Sequence, residues 1–219
     1  MNGFSGESKP LYRQLLDFLG LRRSMVGILA MCILIGLGEK MAERFLPLYL
    51  VALGGGAWAV GLLNSLDNLL SALYSFPGGW MADRFGPRRS LLAFNLVAIA
   101  GYLLVILVPS IWAVFVGSFL FISWTSLSLP ATMGLISVVL PKEKRTMGVS
   151  LHSLIRRIPM ALGPILGGFL VTQYGTETGV RLAFIGAIGM AVLAILFQEY
   201  MITDVSEKKD NAATSESES

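Results

Sequence analysis

The stretch GGWMADRFGPRRS, residues 78–90, lies between two long apolar runs and decides how the rest of the chain is read. It gathers four charges into a segment whose flanks avoid charge: Asp83, Arg84, Arg88 and Arg89. A similar pattern of glycines and aromatic residues, GGFLVTQYG at residues 167–175, returns later without any of those charges. The difference between the two copies indicates that they face different surroundings.

The composition of the chain indicates an integral membrane protein. Of its 219 residues, 54% are hydrophobic and 14% are charged, and its mean hydropathy is +0.69. A soluble domain of this length would carry roughly a quarter charged residues. The single cysteine, Cys32, provides neither an intrachain disulfide nor a metal site. We therefore predict no metal and no cofactor.

Six apolar runs approach or exceed the roughly 20 residues that a helix needs to cross a bilayer. We predict six transmembrane helices at about 25–53, 57–81, 90–109, 111–140, 146–174 and 180–202. The predicted fold class is thus all-α, with a six-helix transmembrane domain at 25–202. Residues 1–24 are predicted to be a cytoplasmic segment, which is either a short amphipathic helix or a polar lead-in. Residues 203–219 are predicted to be a disordered cytoplasmic tail.

The lysines and arginines predict the orientation of these helices. Basic residues precede the first span and follow the second, fourth and sixth, whereas the opposite side carries only Arg181. Cytoplasmic loops carry the excess of lysine and arginine in membrane proteins. The chain is therefore predicted to be a multi-pass protein of the cytoplasmic membrane, in contact with lipid, with both termini in the cytoplasm.

The two glycine patterns predict an internal repeat. When residues 78–86 are aligned with residues 167–175, a second match follows, between Leu92-Ala93-Phe94 and Leu182-Ala183-Phe184. The repeating unit contains three helices, and an odd number of crossings inverts the second copy in the membrane, as is typical of transporters. The first copy then faces the cytoplasm and keeps its arginines, while the second faces outside.

The charged stretch resembles the loop signature of the major facilitator superfamily, read as G-x-L-x-D-R-x-G-R-R. Met81 stands where leucine is usual, and Pro87 displaces the first arginine of the final pair. The resemblance implies a cytoplasmic loop between helices 2 and 3 that locks the outward-facing state of a transporter. The implied conformational-switch residues are Gly79, Asp83, Arg84, Gly86, Arg88 and Arg89. The alternative is that the arginines only set the topology.

A second stretch, LGPILGG at residues 162–168, is similar to the helix-5 motif G-x-x-x-G-P-x-x-G-G of proton-driven antiporters. Pro159 stands in the place of its first glycine. The matching residues are Gly163, Pro164, Gly167 and Gly168. Glycines at this spacing also arise from close helix packing alone.

The resemblance implies twelve helices in two six-helix halves, with the substrate path between them, and this chain corresponds to the N-terminal half. Three explanations stay open: a truncated chain, one product of a split gene, or a half-size protein that pairs with itself. The implied partners are a small-molecule substrate and either a second six-helix half or a homodimer partner.

Charged residues inside the predicted spans are the candidates for a transport site. A charge at the bilayer centre costs at least about 2.5 kcal/mol, so such residues normally pair or line water. The candidates for a proton and substrate cavity are Glu39, Glu43, Asn64, Asp67, Arg156 and Arg157. The alternative is local neutralisation, in which Lys40 pairs with Glu43, and Asp67 pairs with Arg156 or Arg157.

We predict a secondary active transporter, or half of one, that moves a small solute by proton-coupled alternating access. The sequence contains no G-x-x-x-x-G-K-[ST] loop for ATP and no soluble domain for an enzyme site, so we predict neither ATP drive nor enzyme activity. We also predict no nucleic-acid partner. Helix 4 lacks the basic residue that antiporters often carry there. The alternative function is a non-transporting membrane subunit, scaffold or sensor built on a half-transporter fold.

Overall fold

The computed structural model describes residues 23–122 and 124–201, which form nine α-helices and one short 3₁₀ helix. The α-helices are α1 (Arg23–Glu43), α2 (Leu46–Ala52), α3 (Gly56–Phe85), α4 (Pro87–Leu107), α5 (Ile111–Phe121), α6 (Trp124–Val139), α7 (Arg145–Ile155), α8 (Arg157–Tyr174) and α9 (Thr176–Met201). The 3₁₀ helix, Lys142–Lys144, precedes α7. The described residues contain no strand, so the all-α prediction is confirmed for them.

The helices follow the six predicted spans, two of which, the first and the fifth, are interrupted within the described residues. The first span consists of α1 and α2, the fourth of α5 and α6, and the fifth of α7 and α8. Four stretches are long and apolar enough to cross a membrane: Pro87–Leu107, Ile111–Ser137, Arg145–Tyr174 and Thr176–Tyr200. The other two predicted spans, α1 with α2 and then α3, contain the inner acids Glu39, Glu43 and Asp67.

The helices pack as two groups that meet in the interior. In one group α1 packs against α8 and α9, and in the other α5 and α6 pack against α3 and α4. Helices α4 and α9 join the two groups. At this junction Tyr102, Phe121 and Phe184 stack their rings with centroids 4.8–5.6 Å apart. All three side chains are buried, so this aromatic cluster forms the centre of the bundle.

Large apolar side chains also cover the outside of the bundle. Trp58, Phe76 and Trp112 are each at least 75% exposed. Such a surface is unfavourable in water and matches the apolar interior of a lipid bilayer. The predicted terminal segments, 1–24 and 203–219, lie outside the described residues except for the first two residues of α1.

Two glycines make the sharp junctions between long helices. Gly86 separates α3 from α4 with φ of +84°, and Gly175 separates α8 from α9 with φ of +79°. Residues with a Cβ atom adopt this conformation only with strain. Each glycine follows an aromatic residue that ends its helix, Phe85 in the first case and Tyr174 in the second. The two related sequence patterns therefore fold into the same local structure.

Candidate functional site

Most of the charged loop motif is helical. Residues from Gly79 to Phe85 complete the last turns of α3, and α4 begins directly after Gly86, at Pro87. Asp83 and Arg89 are exposed. Arg84 is exposed as well, and its guanidinium lies 5.1 Å from the centre of the Trp80 ring. These charges thus project from a junction between two helices rather than from an extended loop.

The junction is tied to the end of α9. Arg88 forms an ion pair with Glu199, and Gln198 Nε2 donates a hydrogen bond of 2.8 Å to the backbone oxygen of Arg88. The Gln198 side chain is completely buried, whereas half of the Glu199 side chain is exposed. Across the junction itself, Ser90 Oγ donates to the backbone oxygen of Met81 at 2.8 Å. The loop motif is therefore anchored to the last predicted span.

The inner charges of α1 form a compact cluster around one lysine. Lys40 Nζ lies 2.6 Å from Glu43 Oε2 and 3.5 Å from Glu39 Oε1. Glu39 is 2% exposed, and the Lys40 and Glu43 side chains are mostly buried. The pairing of Lys40 with Glu43, which was the alternative of local neutralisation, is thus present. We call these three residues the charged triad; its formal charge is −1 when both carboxyl groups are ionised.

One side of the triad borders an open cleft of about 330 Å³. Asn64 and Asp67 of α3 line the cleft opposite Lys40 and Glu43. Its other lining residues are Arg44, Leu46, Pro47, Leu63, Ile122 and Met160. The cleft is large enough for a small solute, and its walls carry charges of both signs.

The other side of the triad borders a much smaller crevice of about 30 Å³. Glu39 and Lys40 line it from α1, and Arg156 lines it from the junction of α7 and α8. Its other lining residues are Cys32, Gly36, Trp124, Ser128, Leu129, Thr132, His152, Pro159 and Met160. The triad therefore separates a solute-sized space from a water-sized one.

The helix-5 glycine motif positions α8 against the triad. A Cβ atom on Gly163 would lie 2.7 Å from Lys40 Cβ and 3.0 Å from the backbone of Lys40 and Met41. Gly167 approaches the main chain of α1 one turn further along, where its Cβ would overlap the backbone oxygen of Met41. Gly168 and Pro164 are less closely packed. Close packing of α1 on α8 thus requires Gly163 and Gly167.

The structure brings together only part of the predicted cavity. The predicted ion pair of Asp67 with Arg156 or Arg157 is absent from the described residues: Asp67 lines the cleft, and Arg156 lines the crevice. Asp67 accepts a long hydrogen bond of 3.5 Å from Ser71 Oγ of its own helix. Arg157 is exposed and lines neither space.

Sequence reasoning missed the contributions of the fourth predicted span, which contains α5 and α6, and of the end of the sixth span, α9. Trp124, Ser128 and Thr132 line the crevice from α6, at a spacing of four residues that puts them on one helix face. This spacing was the signal in the sequence. Gln198 and Glu199, two polar residues near the end of a long apolar run, were the corresponding signal for the anchor of the loop motif.

The family model of the Major Facilitator Superfamily matches residues 28–218. The chain belongs to this superfamily. Its members are transporters rather than enzymes, so the prediction that the chain is not an enzyme is confirmed, as is the resemblance inferred from the loop motif. Superfamily members bind small molecules and reside in membranes, which makes this chain a multi-pass membrane protein.

Several curated relatives carry transporter names. The uncharacterised MFS-type transporter YqjV of Bacillus subtilis is 28% identical over 75% of this chain and 40% of its own length. The Na⁺, Li⁺, K⁺/H⁺ antiporter of Planococcus maritimus is 28% identical over 80% of this chain and 42% of its length. The multidrug resistance protein MdtG of Serratia proteamaculans is 27% identical over 81% of this chain and 44% of its length. The chain thus spans less than half the length of these relatives.

A solved structure shares the fold. It is a bacterial homologue of the human lysosomal transporter Spinster, in an inward-facing and unoccupied conformation. The TM-score is 0.67 at 16% sequence identity, over 90% of this chain and 51% of the other. The match supports the major-facilitator fold of the helices described above.

Proposed function

We propose that this superfamily member forms one six-helix half of a secondary active transporter. In this proposal the transporter moves a small solute across the cytoplasmic membrane by alternating access and couples the movement to protons. The observation that carries the proposal is the charged triad at the border of the cleft. The Na⁺, Li⁺, K⁺/H⁺ antiporter name of one relative also supports ion coupling.

The net charge of the triad provides a reason for proton coupling. One lysine faces two carboxyl groups, so the uptake of one proton by Glu39 or Glu43 makes the cluster neutral. A net charge inside the membrane costs at least about 2.5 kcal/mol, and changes in solvation during a conformational change add to that cost. The neutral cluster therefore changes conformation more easily than the charged one. In this way the proton would gate the change between inward-facing and outward-facing states.

We further propose that the six helices are two inverted three-helix repeats. The pairing of helices supports this: α1 packs on α8 and α9, just as α5 and α6 pack on α3 and α4. Exchanging the first span with the fourth, the second with the fifth and the third with the sixth converts one set of helix pairs into the other. The sequence shift from Gly78 to Gly167 also carries Glu39 onto Ser128, and both residues line the crevice.

Orientation and assembly complete the proposal. Both termini lie in the cytoplasm, with residues 25–202 as the transmembrane domain between a cytoplasmic lead segment and a cytoplasmic tail. A second six-helix half, or a second copy of the chain, closes the cleft, because polar walls such as those at Asn64 and Asp67 are costly against lipid. Asp83, Arg84 and Arg89, which project from the anchored junction, are free to contact that second half and to lock the outward-facing state.

Single cysteines test the orientation. In a Cys32→Ser background, Pro87→Cys lies at the first glycine junction and Thr176→Cys at the second. An impermeant maleimide applied to intact cells should label position 176 and leave position 87 unlabelled, while permeabilised cells should show both. Equal labelling at both positions in intact cells would contradict the inverted arrangement.

The coupling experiment uses the active assembly in liposomes with an internal pH dye. Pulses of Na⁺, Li⁺, K⁺ or a lipophilic cationic dye serve as probes, and at least one of them should exchange for protons. Glu39→Gln should abolish pH-driven accumulation of that probe while downhill exchange persists, and Glu43→Gln should act in the same direction. Glu177→Gln is the matched control, because Glu177 is exposed in the first turn of α9. Full pH-driven accumulation in both triad variants would refute proton coupling through these acids.

A further inference from the structure

The crevice on the far side of the triad contains the only histidine of the chain. His152 belongs to α7 and is 2% exposed. Glu39, on α1, lines the same space. The crevice volume of about 30 Å³ suits one or two water molecules, since one needs at least about 10–15 Å³.

Two buried ring nitrogens at this crevice lack hydrogen-bond partners among the described residues. They are His152 Nδ1 and Trp124 Nε1, and the Trp124 side chain is only 5% exposed. A buried polar atom without a partner costs about 1–3 kcal/mol, so such atoms are normally satisfied by protein or by ordered water. The hydroxyl groups of Ser128 and Thr132 line the same space and add further polar groups. A buried water needs two to four polar partners, and the crevice offers that number.

We propose that the crevice holds an ordered water that transfers protons between the carboxyl group of Glu39 and the imidazole of His152. Trp124 donates its N–H to this water and holds it in place. This inference rests on the proposed proton coupling through Glu39, and it adds the route by which the proton leaves the triad. We call the carboxyl group, the water and the imidazole the water relay.

The proton transfer balances without a further reactant. The Glu39 carboxyl group gives its proton to the water oxygen while the water gives one of its own protons to the lone pair of His152 Nδ1. Glu39 becomes a carboxylate, His152 becomes an imidazolium, and the water is regenerated. Release of the Nε2 proton of the imidazolium toward the cytoplasm leaves a proton on Nδ1, and its exchange to Nε2 restores the lone pair of Nδ1 for the next transfer.

The charged groups around His152 set the balance of this transfer. Helices α1, α6 and α8 and the 3₁₀ helix pack against α7. From α1, the Glu39 carboxylate favours the imidazolium, whereas Lys40 opposes it. Arg156, at the end of α7, also opposes it, and Cys32 lines the crevice as a thiol. Helix α6 contributes only uncharged lining residues, Arg157 of α8 is exposed, and the 3₁₀ helix carries Lys142 and Lys144 away from the crevice. One negative and two positive groups therefore border the relay, so the imidazolium is short-lived rather than a permanent ion.

The first experiment detects the water itself and needs no transport substrate. The chain is labelled with ¹⁵N-histidine, carries no histidine tag and is reconstituted in lipid, so that His152 gives the only histidine ring signals. Water-edited solid-state NMR should show rapid polarisation transfer from water to the ring nitrogens. Trp124→Phe keeps an aromatic ring, though a smaller one, and removes the N–H donor, so the transfer should be lost. Trp112→Phe is the control, because Trp112 is exposed and distant from the crevice lining. A wild-type ring without water transfer, or an unchanged signal in Trp124→Phe, would overturn the proposed water.

The second experiment separates water binding from proton transfer. His152→Asn places an amide near the position of Nδ1 that can hydrogen-bond to water but does not take up a proton. We expect pH-driven exchange of the coupled probe to fall by at least about a hundredfold, the lower end for a lost proton-transfer group. Downhill exchange and the unfolding midpoint should stay close to those of Ser153→Ala, an exposed neighbour. Wild-type pH-driven exchange in His152→Asn would refute the relay while leaving coupling through Glu39 intact. If the wild-type protein itself shows no coupling, the proposed function is refuted. The NMR result still decides whether the water exists.

Discussion

Adding one methyl group at Gly167 tests whether the helix-5 glycine motif is needed for packing against the charged triad. In Gly167→Ala the new Cβ would overlap the backbone oxygen of Met41 and lie 2.6 Å from Phe45 Cε2. The main chain of α1 cannot rotate out of the way as a flexible side chain could, so α1 and α8 must separate. Gly168→Ala is the matched control, since its Cβ meets only Phe45 Cζ, at an ordinary contact distance of 3.5 Å.

The difference between the two variants isolates the cost of the overlap. Both residues lie inside α8, so each alanine gains the same helix propensity, about 1 kcal/mol. Overpacking in a well-packed interior costs about 1–3 kcal/mol, and an overlap with backbone lies at the upper end. Because the propensity gain cancels, Gly167→Ala should be less stable than Gly168→Ala by about 2–3 kcal/mol.

Equilibrium unfolding in detergent micelles, followed by Trp fluorescence, measures this difference. Gly168→Ala should unfold at or slightly above the wild-type midpoint, and Gly167→Ala clearly below it. Equal midpoints for the two alanine variants would refute the reasoning, since they would mean that α1 and α8 do not approach each other as closely as the structure places them.

The remaining predictions concern the anchor of the loop motif and the charges of the cleft. Gln198→Ala should destabilise the protein by about 0.5–1.5 kcal/mol, because it removes the hydrogen bond that this buried side chain donates to the backbone oxygen of Arg88. Glu199→Gln should change the free energy of unfolding by less than about 1 kcal/mol, because the ion pair that it breaks is largely exposed; a larger loss in Glu199→Gln than in Gln198→Ala contradicts this ranking. Lys40→Met should lower the free energy of unfolding by about 3–5 kcal/mol, because it removes the cation between two buried carboxyl groups. Asp67→Asn should leave purified yield and unfolding midpoint unchanged, and a loss comparable to that of Lys40→Met would mean that Asp67 has a buried cationic partner.

The order of the helices was predictable because each apolar run corresponds to one or two of them, although only four of the six predicted spans are, within the described residues, long and apolar enough to cross a membrane. The ends were less predictable where helices continue into polar sequence. Helix α9 begins at Thr176 rather than at the predicted residue 180. The negative charge of Glu177 in its first turn stabilises this earlier start, because it interacts with the positive end of the helix dipole. Helix α3 continues to Phe85, past the predicted residue 81, because residues 80–85 contain neither glycine nor proline.

The helix interruptions were not predictable from the prolines alone. Pro47 follows the break between α1 and α2, and Pro159 follows the break at Arg156. Yet Pro77, Pro130 and Pro164 lie inside continuous helices. A proline is tolerated in the first turn of a new helix and bends or interrupts an existing one. Which outcome occurs depends on the packing of neighbouring helices, and one sequence does not contain that information.

The prediction that Asp67 pairs with an arginine of the fifth span was wrong for a related reason. A rise of 1.5 Å per residue gives the depth of a side chain in the membrane but not the direction in which it points. Helix α3 packs on α6, whereas α8 packs on α1. The two helices thus present their polar faces to different spaces. Depth and charge suggested the partner, and the order of the helices around the bundle excluded it.

The interrupted helices and the polar spaces explain each other. A helix end leaves backbone groups without intrahelical partners, and lipid cannot satisfy them. Interruptions are therefore tolerated at membrane depth only where the backbone is buried in protein or meets water. Glu43 and Arg44, at the end of α1, line the cleft, as does Ile122 at the end of α5. Arg156, between α7 and α8, lines the crevice. The interruptions after α1 and at Arg156 therefore both border a polar space, as this rule requires. In the proposed mechanism, a proton that enters from the cleft has one cluster to cross before it reaches the proposed water relay.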